Sequence, residues 1–187
     1  MYHGATLIKN RWATVFCVIR QTNNMVEKLR KSEFLNYRLS NDYIRGLTDG
    51  EGCFTFHANH RKKNGIIIKE KIPAFAIQMH IRDRWLLVET LEHLGIKGNV
   101  YTHKAWIKDG SNRGDTAKFY VRSLKELQCI VIPFFYKKLA GYKGKQFFEW
   151  LKKIGSEPMV ASRYKLLYEL YKSGYWENEN NIPERLR

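Results

Sequence analysis

The sequence predicts an α+β domain in which a helix, two strands, a second helix, two more strands and a set of C-terminal helices follow in that order. Three observations carry this. A capped, glycine-bearing helix begins at Ser40 and runs to about Gly50. A stretch with period-two alternation follows it. Hairpin and helix-stop signals then divide the remaining chain.

In the first helix, Ser40 and Asn41 have the character of an N-cap, and Asp42 places negative charge where a helix N-terminus favours it. Gly46 and Gly50 are four residues apart and share a face, which leaves that face bare and lets a second helix approach closely. Glu51 falls in the last turn, at the negative end of the helix dipole, before Gly52. A carboxylate there does not help stability, and a broken local rule marks a position to examine for function.

The first strand covers roughly Cys53 to Lys62. Phe54 and Phe56 alternate with Thr55, His57, Asn59 and Arg61, the pattern of a strand with one buried face and one polar face. Asn64-Gly65 signals a hairpin turn. A second strand runs from about Ile66 to His80, with Pro73 as an interruption that fits an edge or a bulge. Trp85, Leu86, Val88, Leu91 and Leu94 recur at helical spacing and Gly95 ends that helix. Val100 to Ile107 and Lys118 to Arg122 read as two further strands, joined by a polar loop from Lys108 to Asp115. Leu124, Leu127, Cys129 and Ile130 begin a helical tail that Pro133 interrupts, and helices follow at Gln146 to Ile154 and Ser162 to Tyr171. Before Ser40 the pattern is weak, apart from a helix near Met25 to Leu35. Residues 1–38 are taken as a basic N-terminal arm, and residues 39–187 as a single domain.

Composition narrows the class. The 187 residues carry 33 Lys and Arg against 18 Asp and Glu, a formal net charge of +15, which fits a polyanionic partner such as nucleic acid. At 44% hydrophobic residues, with eleven Tyr, ten Phe and five Trp, the chain can build a core and is not a disordered basic tail. Cys17, Cys53 and Cys129 are isolated, so neither a zinc ribbon nor a disulfide framework is supported and a reducing setting is expected. The apolar run from Trp12 to Ile19 is too short to span a bilayer. No acid precedes Glu27, which fits an organelle transit peptide, a frayed basic arm or an upstream leader equally well.

The segment Ile44 to Gly52, with its helical glycine, its two acids and the alternating strand behind it, resembles the LAGLIDADG homing endonucleases, with Glu51 in place of the commoner aspartate. Arg45 and Thr48 depart from the small or apolar residues usual there. The resemblance runs from about Asn41 to Ile154 and implies an αββαββα unit. Its curved four-stranded antiparallel sheet would form a DNA-binding saddle backed by helices. Leu139-Ala140-Gly141 is not a second motif, because Tyr142 and Lys143 follow it without an acid. One motif per chain implies half a site and a symmetric homodimer with Gly46, Gly50 and Asp49 at the interface, Asp49 capping the partner helix.

The activity implied is a site-specific homing endonuclease. It makes metal-dependent double-strand breaks with 3′ overhangs in a long, roughly palindromic target and so promotes mobility of its host intron. The cofactor implied is Mg²⁺, with Mn²⁺ or Ca²⁺ able to occupy the site in vitro; hard oxygen ligands suit it. Glu51 and the carbonyl of Gly50 are the expected metal ligands. Taken alone, Glu51 would read as a solvated helix-end acid; the flanking glycines and strand reverse that. Lys143, in a local pattern completed by Phe147, is the expected charge-stabilising catalytic residue, with Lys145 in reserve. Both can equally be phosphate-binding surface. The family's water-positioning glutamine aligns with Met79, so Gln78 or His80 would have to replace it, or His80 is only a satisfied strand-end residue.

Base reading is expected from Thr55, His57, Asn59 and Arg61 on the first strand, Gln78 on the second, Tyr101 and His103 on the third, and Lys118, Tyr120 and Arg122 on the fourth. His57 and His60 would point to opposite faces, so a shared metal is not expected. Double-stranded DNA and a second copy of the chain are the expected partners, with intron RNA as another and no membrane. The expected location is intracellular with DNA, in an organelle or a prokaryotic cytoplasm. Rival readings are an RNA-binding intron maturase, a non-catalytic DNA-binding protein of the same fold, and a ribosomal protein.

Overall fold

The structure, a computed structural model, describes residues 38–105 and 114–187. The expected helix near Met25 to Leu35, the apolar run at 12–19, Cys17 and most of the loop from Lys108 lie outside the described residues.

Helix α1 spans Asn41–Glu51. Ser40 is its N-cap, and its hydroxyl accepts from the Tyr43 N–H at 3.1 Å. Strands β1 (Gly52–Lys63) and β2 (Ile66–His80) form the long hairpin that the alternation and the Asn64-Gly65 pair predict, with both turn residues at positive φ. A 3₁₀ turn at Ile81–Asp83 leads into α2 (Arg84–Leu94), which ends on left-handed Gly95. Strands β3 (Tyr101–His103) and β4 (Thr116–Val121) complete a four-stranded antiparallel sheet in the order β1-β2-β4-β3. The third strand is shorter than its hydrophobic pattern suggests.

Pro73 sits within β2, opposite Phe56. Pairing with β4 starts only at Phe75, and the neighbouring Lys71 uses the same edge to bond the backbone of Met159 and Ala161. Backbone groups on a strand alternate sides, so the missing N–H of Pro73 falls on the edge that β4 does not yet reach, where it costs no ladder bond.

Helix α3 runs through Leu124–Glu126, a π-helical turn at Leu127–Val131, and Ile132–Phe135. Pro133 therefore does not interrupt the helix, contrary to the sequence expectation. The wider π turn ahead of it absorbs the bond and the space that a proline denies. Helix α4 spans Gly141–Ser156 and begins earlier than its apolar spacing indicates. Its N-cap, Ala140, has no capping side chain; instead the Asp49 carboxylate of α1 accepts from the Ala140 N–H at 3.1 Å. Helix α5 (Lys165–Lys172) follows a 3₁₀ turn at Ser162–Tyr164.

One face of the sheet packs on the helices. Phe75, Ile77, Phe119 and Val121 are buried there with Phe134, Phe135, Phe147 and Leu151. Phe54 lies at the centre, with its ring within 5.7 Å of those of Phe75, Phe135, Phe147 and Trp150. Full burial of each such side chain contributes about 1.5–3 kcal/mol.

Candidate nucleic-acid interface and active site

Three residues fix α1 and explain its unusual composition. Ile44, Arg45 and Thr48 are its buried residues. Arg45 donates to the carbonyls of Phe134 at 3.3 Å and Leu186 at 3.0 Å, pairs with Asp42 at 3.0 Å, and lies over the Phe134 ring. The arginine that looks misplaced in the motif is thus an anchor to α3 and to the chain's last residues. Asn41 adds to this attachment by donating to the carbonyls of Arg185 and Arg187. Thr48 faces Gly52, where a Cβ would meet the Thr48 methyl group and come within 2.6 Å of its carbonyl oxygen. Only glycine fits there, and the Gly52 N–H closes the helix on that same carbonyl.

The opposite face of α1 is open. Gly46 and Gly50 are exposed, and a Cβ built on either meets nothing within 4 Å. Among the described residues, the bare stripe predicted from their spacing is therefore uncovered.

Glu51 is exposed at the end of α1. Lys143 comes to the same end: its Nζ donates to the Gly52 carbonyl at 2.7 Å. An open depression of ≈ 340 Å³ beside it is lined by Asp49, Ala140, Gly141, Tyr142, Lys143 and Gln146. Asp49 holds the start of α4 within its own chain through Oδ2, while its Oδ1 is buried and has no hydrogen-bond partner among the described residues. Lys145 points elsewhere, over the Tyr142 ring and 4.0 Å from Glu149. Tyr142 and Gln146 did not emerge as site residues from sequence, although their spacing from Lys143 places them on neighbouring faces of one helix.

The strand register sorts the expected base-reading residues. Thr55 opposes Ala74, which leads along β2 to Ala76 opposite Tyr120, then Gln78 opposite Lys118, and Lys118 opposes Tyr101. His57, Asn59 and Arg61 continue the same face along β1, His103 continues it along β3, and Arg122 follows Tyr120 just past the end of β4. All ten residues thus lie on the face away from the helices. Cys53 joins them, exposed beside Glu51; the alternation could have identified it.

Contacts within this face are specific. His57 meets the Tyr120 ring edge-on at 4.5 Å, and Lys118 lies 4.6 Å from that ring's centre. Burial, then the charges of Arg122 and Lys118, hold the His57 imidazolium below its usual range. Arg61 pairs with Glu70 at 2.9 Å, so its guanidinium already has an acid neighbour. Gln78 is exposed on the open face, whereas Met79 packs against the core on the other. His80 shares the open face but accepts from the Arg82 N–H through Nδ1, acting as a cap. His60 lies on the face opposite His57, as expected. Among the described residues no three His, Cys, Asp or Glu side chains cluster as a metal site would require within one chain, and no helix is long and apolar enough to cross a membrane.

Comparison with known proteins agrees with this architecture. The chain is similar to I-SmaMI, solved on an uncleaved DNA target with calcium ions. The TM-score is 0.51 at 21% identity, over 74% of this chain and 46% of that one. The likeness is one of fold. I-TnaI, a homing endonuclease, aligns with a TM-score of 0.48 at 22% identity, over 73% of this chain and 99% of its own. I-LtrWI, solved bound to target DNA, aligns at 0.49 and 25% identity, over 79% of this chain and 41% of its own. This chain spans less than half the length of I-SmaMI and I-LtrWI. No curated protein matches it by sequence. The family model for the LAGLIDADG endonucleases matches residues 44–154, more than half of the chain and the very segment that builds α1, the sheet and α4. The chain belongs to the LAGLIDADG endonuclease family.

Proposed function

We propose that this protein is a homing endonuclease that cuts both strands of a long, roughly palindromic DNA target and leaves 3′ overhangs. The observation that carries the reading is the meeting of Lys143 with the peptide next to Glu51, at the border of a face bearing ten polar and basic side chains.

Two copies would join through the Gly46/Gly50 stripe, which is exposed and can accept another backbone closely. This would bring one Glu51 from each copy to the seam. Asp49 would stand beside that seam while its Oδ2 holds the start of α4 in its own chain. The donor set fits Mg²⁺, because each copy offers one exposed carboxylate among helix-end carbonyls, and this ion takes one or two carboxylates and keeps several waters. Glu51, with the Gly50 carbonyl, would hold it. When bound, the ion activates water and neutralises charge on the phosphate. Mn²⁺ or Ca²⁺ would fit the same oxygens. Lys143 supplies positive charge to the phosphate oxygens from a position fixed by its hydrogen bond. The open face reads base edges in the major groove, with Gln78 and Lys118 at its centre. Mobility of a host intron is the biological consequence of such a cut.

The test is incubation with Mg²⁺ and a plasmid carrying the intronless form of the protein's own insertion locus. Linear product with 3′ overhangs is expected. An uncut plasmid together with tight, splicing-competent binding of the intron transcript would overturn the reading in favour of a maturase.

A further inference from the structure

The outer end of the β1–β2 hairpin carries apolar side chains that the core does not use. Ile66 and Ile67 are 69% and 65% exposed. They follow the turn at Asn64 and Gly65. Among the described residues, Ile66 to Glu70 pair with β1 alone, since the bond to Met159 starts at Lys71 and the β4 ladder at Phe75. The tip is therefore a two-stranded ribbon reaching past the rest of the sheet. Consecutive isoleucines on such an unprotected ribbon are an association hazard, which marks them for a functional explanation.

The surroundings select the occupant. Lys62 and Lys69 are exposed near the tip, while Arg61 is paired with Glu70 and Lys71, at the start of the covered part, with Glu157. A second copy would bring the same lysines against these and be repelled, whereas a DNA duplex brings phosphates. A two-stranded ribbon fits the major groove, where the thymine C5-methyl is the apolar group on a base edge. The register places Ile66 opposite Lys63 and Ile68 opposite Arg61, on the same face as Thr55, His57 and Asn59. Lys62, Ile67 and Lys69 lie on the other face.

We infer that Ile66, backed by Ile68, is a specificity residue that contacts the C5-methyl of a thymine at the outer end of each half-site. Lys62 and Lys69, both exposed, hold the flanking phosphates. The inference rests on the DNA reading above and extends it to an apolar contact that none of the polar side chains of the face can make.

The test uses the full chain and a pool of randomised DNA duplexes. Sequences retained by the wild-type protein define the target, and each outer thymine is then replaced by deoxyuridine, which removes only the methyl group. At one outer thymine per half-site, binding should weaken about three- to fivefold, the ratio that burial of one methyl-sized group gives. Ile66→Ala should bind the thymine and deoxyuridine duplexes equally. Wild-type indifference to every outer deoxyuridine overturns the inference and leaves the DNA reading intact, and so does an equal loss in wild type and Ile66→Ala. A pool that yields no enriched sequence overturns the DNA reading and this inference with it. A change in oligomeric state of Ile66→Ala without DNA would make the tip a self-association surface and overturn the inference alone.

Discussion

Lys143 and Gly52 are joined by a hydrogen bond of 2.7 Å from the ammonium to the backbone carbonyl, across ninety-one positions of sequence. The bond sets a positive charge from the first turn of α4 against the end of α1, one peptide beyond Glu51. Lys143→Ala should slow cleavage by roughly 10²-fold while leaving DNA binding nearly unchanged, the scale found when one charge-stabilising donor is lost. Single-turnover cleavage at saturating protein measures this. Weakened binding with an unchanged cleavage rate would make Lys143 a phosphate anchor instead.

Glu51→Gln retains size and hydrogen bonding and removes the charge. Cleavage should fall by more than about 10³-fold, because a metal acting as Lewis acid supplies several kcal/mol. Binding to the same duplex should persist. Undiminished Mg²⁺-dependent cutting by this variant would move the active site elsewhere and leave the motif as a dimerisation helix.

Gly46→Leu separates association from folding. Among the described residues a side chain at Gly46 meets nothing, and leucine is a better helix former, so the isolated fold should gain up to about 1 kcal/mol. Dimerisation and cleavage should both be lost. Sedimentation and chemical denaturation measure the two effects. A wild-type protein that sediments as a monomer while cutting both strands excludes the two-fold arrangement.

Arg45→Met should destabilise the fold by about 2–4 kcal/mol, because it leaves the carbonyls of Phe134 and Leu186 without their donor in a buried place. Asp42→Asn, at an exposed acid, should cost little. Equal stability of the two variants in urea would show that the Asp42 pair, and not the buried carbonyls, is what Arg45 provides.

His57 gives an acid-side pH dependence. Burial and the charges of Arg122 and Lys118 lower its folded-state pKa below the ordinary imidazole value of about 6.5. Between the unfolded and folded values the unfolded chain binds the proton more readily, so stability is full above about 6.5 and falls as pH drops through that window. His57→Gln should flatten the decline in denaturation midpoint between pH 7.5 and 5. An unchanged slope would assign the acid sensitivity to other groups.

The sequence by itself determined the order of elements, the motif helix and the two-faced sheet, because each rests on a local period or a local cap. Ser40 caps its own helix, and Asn64-Gly65 turns its own hairpin. The alternation from Cys53 sorts side chains to two faces whatever the strand later pairs with. The residues of β4 and β3 fall on the open face for the same reason, once the register joins them to β2.

Only the tertiary structure decided the contacts between distant segments. The early start of α4 depends on a carboxylate from α1, and the arginine inside the motif is explained by carbonyls at Phe134 and Leu186. Neither signal exists within a few residues of the side chain concerned. Pro133 continues a helix because a π turn precedes it, and Pro73 sits inside a strand because the adjacent ladder begins two residues later. A one-dimensional pattern fixes which face a residue occupies. Which backbone groups remain to be satisfied, and which distant side chain satisfies them, is set only when the elements pack.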